Sequence, residues 1–191
     1  MEQRKLSNTP GTCQRQKQIE DCLYENLLQK PYHNISVSDL CKQVGISRKA
    51  FYNYYPSKDA CFCAILDRAI RDSVLRLTPD TNDPVQVYTA YLEYWKSQKP
   101  LFDIIVRNNL GYLFIQQSLH HVMTEERTLL DLLNTPIVKS DTDILNCCMS
   151  IQITLLMQWY SRGFDTPARE MATKFLRLLY LPMFQLPEEE K

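Results

Sequence analysis

The chain has 191 residues, 45% hydrophobic and 23% charged, with 22 Lys and Arg against 22 Asp and Glu. That is the length and composition of an ordinary soluble globular protein with room for a core, and it excludes a low-complexity or highly charged disordered chain. Zero net charge would argue against nucleic acid if it were evenly spread, but residues 1–60 hold nine Lys and Arg against six Asp and Glu, a surplus of +3, and residues 61–191 hold thirteen against sixteen, a deficit of −3. A basic head on an acidic body fits phosphate binding confined to one end of the chain.

The N-terminal stretch MEQRKLSNTPGTCQRQ is polar, lacks a cleavable-signal pattern, and reads as a disordered arm over residues 1–13. No apolar run is long enough to cross a bilayer. Seven cysteines, an odd number without framework or zinc-knuckle spacing, read as reduced thiols. Both observations point to the cytoplasm, with no membrane partner. Four Gly and ten Pro fall almost entirely between apolar-periodic segments, and no segment alternates with period two for long. The expected fold is therefore all-α. The first helix runs from about Arg15 to Gln29, carries Ile19, Cys22, Leu23 and Leu27, and ends before Pro31.

The stretch SVSDLCKQVGISRKAFYNYYPSK, Ser36 to Lys58, reads as two short helices joined by a Gly turn. Val37, Leu40 and Val44 give the first of them an apolar face, and Ser36 with Asp39 forms a capping pattern at its start. Gly45 stops it, Ile46 returns to the core, and Ser47 caps the helix Arg48 to Tyr55. Phe51 and Tyr55 face back toward Leu40, Val44 and Ile46, which leaves Arg48, Lys49, Tyr52 and Asn53 in front. Such a front suits a DNA major groove: Arg pairs bidentately with guanine, Asn with adenine, and hydroxyl and ammonium groups reach phosphates. Pro56 forbids continuation, and Ser57 caps a further helix opened by Lys58.

These residues carry a resemblance. GISRKAFYNYYPSKDA resembles the core signature of TetR-family transcriptional regulators: Gly, an apolar residue, Ser or Thr, a short recognition helix with an aromatic–Tyr pair, then a Lys opening the fourth helix. The similarity runs from about Gln14 to Leu66. It implies a three-helix helix-turn-helix DNA-binding domain, here 14–60, and a six-helix effector-binding and dimerisation domain, here 61–187. It also implies that Arg48, Lys49 and Tyr52 face bases with Asn53 at their edge, and that Ser36, Ser47, Tyr54 and Lys58 anchor phosphates. Two positions depart from the pattern: Cys41 stands where a small Ala is usual, and Tyr55 where Phe is common.

Beyond the signature, breakers predict helix four from about Lys58 to Leu77 before Pro79, helix five from Val85 to Gln98 before Pro100, and helix six from Leu101 to Asn109, ending at Gly111. Helix seven is expected from Tyr112 to about Leu133. Helix eight follows the cap candidates Ser140 and Asp141 and reaches Ser161 before Gly163, and helix nine opens at Pro167 and ends near Pro182, leaving a disordered PEEEK tail. Helices eight and nine are the most apolar. They serve either as the body's own core or, as the resemblance implies, as half of a four-helix bundle in a homodimer that sets two recognition helices about 34–36 Å apart on a near-palindromic site.

Helices five to seven combine aromatic and polar residues in the manner of a small-molecule pocket, with Tyr91, Trp95, Phe102, Asn109, Tyr112, Phe114, Gln117 and His121 as candidates, although aromatics at this spacing also serve simple packing. His120, His121 and Glu125 supply no paired ligand set, so no metal is expected, and no cofactor motif is present. The expected function is a homodimeric regulator, a repressor released from operator DNA by a small apolar or aromatic ligand of unknown identity. The alternative is a DNA-binding regulator without an effector, recruiting partners or acting constitutively. An enzyme is not expected, because no Gly-rich phosphate loop, Ser/His/Asp constellation or metal-ligand spacing occurs.

Overall fold

Proline and glycine punctuation sets most of the helix limits in the computed structural model, which describes residues 10–77, 83–125, 127–133 and 142–179. Among the described residues there are ten α-helices and no strand. They are α1 (Pro10–Gln29), α2 (Val37–Val44), α3 (Arg48–Tyr54), α4 (Lys58–Leu75), α5 (Pro84–Ser97), α6 (Lys99–Arg107), α7 (Gly111–Thr124), α8 (Leu129–Leu133), α9 (Thr142–Ser161) and α10 (Ala168–Leu179), with a single 3₁₀ turn, Tyr32–Asn34, between α1 and α2. The arm over residues 1–9, the stop at Pro79, the caps Ser140 and Asp141, the end near Pro182 and the tail lie outside the described residues.

Three limits differ from the sequence reading, each for a local reason. Helix α1 starts at Pro10 rather than near Arg15, so residues 10–13 of the expected arm are helical. Proline suits that first position because its missing N–H would have no intrahelical acceptor there. The α6–α7 turn is made by Asn109, with φ 54°, while Gly111 opens α7. Asn tolerates the left-handed region better than other L-residues, and the Leu110 N–H closes the turn onto the Ile105 carbonyl at 2.9 Å. The long helix expected to Leu133 is two helices. Thr128 breaks it, with its N–H and hydroxyl both donating to Asp131 Oδ2 at 2.8 Å, so α8 receives its own N-terminal cap.

The packing forms two units. One contains the described chain through Arg71 together with Pro100–Ser118, and the other contains Asp72–Lys99 and the described chain from Leu119 onward. The first unit buries Ile19, Leu23 and Leu27 of α1 with Leu40, Phe51, Phe62, Leu66, Phe102 and Phe114. In the second, α5 packs along α10, with Tyr88 stacked on Phe175 at 4.6 Å and Tyr91 accepting a 2.6 Å hydrogen bond from Gln152 Nε2. The α9–α10 turn is fixed by Gly163 and Phe164, both at positive φ, and by the Trp159 indole N–H on the Thr166 carbonyl at 2.9 Å.

Candidate nucleic-acid interface

The short helix α3 has two turns and too little length to be stable alone, so its neighbours hold it. Phe51 is fully buried, a contribution of about 1.5–3 kcal/mol for a side chain of that size. The start of α3 is capped by Ser47, whose Oγ accepts from the Ala50 N–H at 3.1 Å. Its end is set by Tyr55, extended at φ −136° before Pro56, with its N–H still on the Phe51 carbonyl. Helix α2 begins on Ser36, whose Oγ accepts from the Asp39 N–H at 3.1 Å and donates to Asp39 Oδ2 at 2.6 Å. That hydrogen bond holds the Asp39 carboxyl below the ordinary carboxylate range. Gly45 ends α2 at φ 71°, and the Ile46 N–H bonds the Cys41 carbonyl at 2.9 Å, so the α2–α3 corner is closed by backbone geometry.

With its back buried, α3 presents Arg48, Lys49, Tyr52 and Asn53 on the exposed side, while Tyr54 is half-buried. Ser36 and Ser47 are exposed at the N-termini of α2 and α3. Lys58 is placed differently. It is half-buried, its ammonium donates to the carbonyls of Tyr32 at 2.6 Å and Ile35 at 2.7 Å, and it lies 4.0 Å from the centre of the Tyr32 ring. Burial lowers its pKa, an effect opposed by adjacent Asp59. Tyr32 is a hub: its hydroxyl donates to Asp59, and its N–H donates to Oδ1 of Asn108, the residue just after α6, at 2.7 Å. Arg107 of α6 adds a long bond to the Leu27 carbonyl at 3.4 Å. The α1–α2 turn is thus gripped by α4 and α6, and Lys58 is part of that grip.

The eight candidate ligand residues fall in two groups. Phe102, Asn109, Tyr112, Phe114 and Gln117 belong to the first unit; Tyr91, Trp95 and His121 belong to the second. Phe102 and Phe114 are fully buried and meet edge to face at 6.1 Å, as do Tyr91 and buried Trp95 at the same separation. Asn109 and Tyr112 are exposed, His121 is buried, and Gln117 donates to Asp67 of α4 at 3.2 Å. A recess of about 10 Å³ in the second unit is lined by Tyr88, Leu92, Leu155, Leu156, Trp159, Met171 and Phe175, and none of the eight candidates reaches it. Tyr88 is not among the eight candidates, and its pairing with Phe175 joins helices far apart in the chain and has no local signal. Among the described residues, no three His, Cys, Asp or Glu side chains are grouped to hold a metal ion, and no helix is long and apolar enough to cross a membrane.

A capped helix pair with a buried back and a cationic, aromatic front, among described residues whose regular structure is all helical, defines the helix-turn-helix class. Residues 25–65 match the family described as bacterial regulatory proteins, tetR family. The chain is 44% identical over 61 residues to the HTH-type transcriptional regulator EthR of Mycobacterium tuberculosis (strain ATCC 25618 / H37Rv), covering 31% of this chain and 28% of EthR. The chain therefore spans little more than a quarter of the length of the curated relatives it matches. Two solved structures are similar across nearly the whole chain. One is a TetR transcriptional regulator from Rhodococcus sp. RHA1, with TM-score 0.58 and 14% identity over 88% of this chain and 97% of that one. The other is Thermus thermophilus FadR, a TetR-family transcriptional repressor in complex with lauroyl-CoA, with TM-score 0.51 and 17% identity over 92% and 98%. At these identities they establish the fold alone. Residues 25–65 thus carry the segment that the tetR-family description covers, and the chain shares the fold of those two regulators.

Proposed function

We propose that the chain is a homodimeric, cytoplasmic DNA-binding transcriptional regulator, a repressor released from a near-palindromic operator by a small apolar or aromatic ligand. The observation that carries this reading is α3 itself: its back is anchored by fully buried Phe51, and Arg48, Lys49, Tyr52 and Asn53 are exposed in front. In this reading residues 14–60 bind DNA. Arg48, Lys49, Tyr52 and Asn53 meet base edges, Ser36, Ser47 and Tyr54 meet phosphates, and Lys58 supports phosphate binding by holding the turn before α2. Residues 61–187 bind the effector and pair the subunits. Pairing through α9 and α10 is supported by Ile144 and Ile151, two exposed apolar residues seven apart on α9, and by exposed Leu178 on α10.

Selection of bound duplexes from a random library tests the DNA reading. Wild-type protein is expected to enrich an inverted repeat with half-sites about one turn apart, and Arg48→Ala to lose preference at defined bases. Enrichment of no common sequence sinks it. Ile151→Glu tests the pairing, and a mass measured by light scattering that stays dimeric refutes it.

The regulator without an effector remains a second reading because of one observation. The recess in the second unit has a volume of about 10 Å³, room for about one water, whereas small-molecule sites measure roughly 300–1,000 Å³. A ligand bound to FadR supports the first reading and this recess the second. A thermal-shift screen with acyl-CoA and aromatic compounds separates them: a stabilising compound that also dissociates the operator supports release by ligand.

A further inference from the structure

Glu20 lies in the middle of α1 and is almost wholly buried, an unusual place for a carboxylate. Its two oxygens are used by two different helices. Oε1 accepts from the hydroxyl of Tyr55, the residue that ends α3, and Oε2 meets the guanidinium of Arg68 in α4. Arg68 also lies 4.0 Å from Asp21, so its head is held over this side of α1 while its side chain stays 44% exposed. Tyr55 is buried, and burial raises its pKa, so it stays a neutral phenol able to donate. The packing of Tyr55 against Phe51 needs only its ring, with centroids 6.1 Å apart. The oxygen serves Glu20.

We propose that Glu20 is a positioning residue for DNA recognition, a single carboxylate through which the placement of α4 at Arg68 fixes the foot of α3 at Tyr55. The proposal rests on the DNA-binding reading of α3. Its physical basis is the asymmetry of buried charge. A buried carboxylate is tolerated only while its oxygens are matched, and removing one side of a buried pair leaves the other uncompensated. If α4 shifts along α1 and carries Arg68 away, Glu20 retains only a neutral phenol, and the favoured response is to turn toward water. Tyr55 then loses its acceptor, and the last turn of α3 loses the bond that orients it. Arg68 is ten residues beyond the start of α4, about 15 Å along the helix at 1.5 Å per residue. A small tilt of α4 at that point is therefore passed to α3 by a route separate from the Lys58 grip.

The test is a cycle of Tyr55→Phe, Arg68→Met and the double variant in the full chain, with Glu20→Gln as a further arm. Affinity is measured for the selected operator and for unrelated duplex at one salt concentration. Each single variant is expected to lower operator affinity roughly tenfold, the size of one missing hydrogen bond, while unrelated-duplex affinity stays within about twofold. The double variant is expected to be no worse than the weaker single, because both act through one carboxylate. Unchanged operator affinity in both singles, or losses that multiply in the double, overturns the proposal. Hydrogen exchange decides the case independently of any operator. Arg68→Met, a change in α4, must lower protection of the α3 amides; if it lowers protection in α4 alone, the coupling does not exist. A wild-type protein that selects no DNA removes the DNA-binding reading, while the exchange result still judges the coupling.

Discussion

Replacing Lys58 with Met keeps much of the side-chain volume and removes the ammonium. Two bonds to the Tyr32 and Ile35 carbonyls, at 2.6 and 2.7 Å, disappear together with the cation–π interaction over the Tyr32 ring. Charge-assisted hydrogen bonds contribute about 1.5–3 kcal/mol each and an exposed cation–π pair about 0.5–1 kcal/mol. The site is half-buried, so water replaces part of this, and ordering a Lys side chain costs up to about 2 kcal/mol. The expected net loss is about 2 kcal/mol, or roughly 4–8 °C in melting temperature for a chain of this size. Because the ammonium is committed to carbonyls, the slope of log affinity against log salt is expected to stay at the wild-type value. Removing one phosphate interaction from each of two subunits would instead reduce that slope by about 1.8. Melting followed by circular dichroism and a salt titration of operator binding measure both quantities. A reduced slope with an unchanged melting temperature refutes the argument and returns Lys58 to the phosphate backbone.

Further outcomes follow from single residues. Gly45→Ala meets nothing within 4 Å, so its cost is the left-handed backbone alone, about 1 kcal/mol by urea denaturation; no loss at all would mean that the α2–α3 corner relaxes freely. Asp39 titrates below the ordinary carboxyl range because Ser36 bonds it, so its support of α2 is complete above about pH 4 and fades as the pH falls through the lowered value. Carbon-detected NMR titration should show that depression vanish in Ser36→Ala. Thiol labelling should reach Cys13 quickly and Cys41 and Cys61 last, since both of the latter are buried and burial pushes the Cys61 thiol up to about 12. Exposed Cys147 lies on the Ile144–Ile151 side of α9 and should label slowly in the dimer and quickly in Ile151→Glu. Equal rates in both proteins would move the subunit interface elsewhere.

What the sequence made legible was local. Ser36 with Asp39, Gly45 and Ser47 announce the α2–α3 corner because caps and left-handed turns are decided within four residues. The same logic, applied to Thr128 and Asp131, locates the α7–α8 break, and Pro10 marks the start of α1; those signals are quieter because no Gly or Pro stands at the break and Pro10 sits in a polar stretch. The nonlocal pairings were not legible. Nothing near Glu20 in the sequence indicates that Tyr55 and Arg68 will share its carboxylate. Lys58 follows the same pattern. Its position beside the α3 front was readable, but its acceptors lie on the chain before α2, more than twenty residues earlier.

The first packing unit is interrupted: Asp72–Lys99 belongs to the second unit, and Pro100–Ser118 returns to complete the first. A ribosome that has just released α4 has already made the whole helix-turn-helix segment, yet the Tyr32 amide still lacks Asn108 and the Leu27 carbonyl still lacks Arg107. Domains close as units when their last contacting segment emerges. The nascent head must therefore remain unfinished while an entire helix of the other unit is translated, and grafting residues 14–60 onto a foreign body would reproduce that unfinished state permanently unless α6 and the start of α7 travel with it.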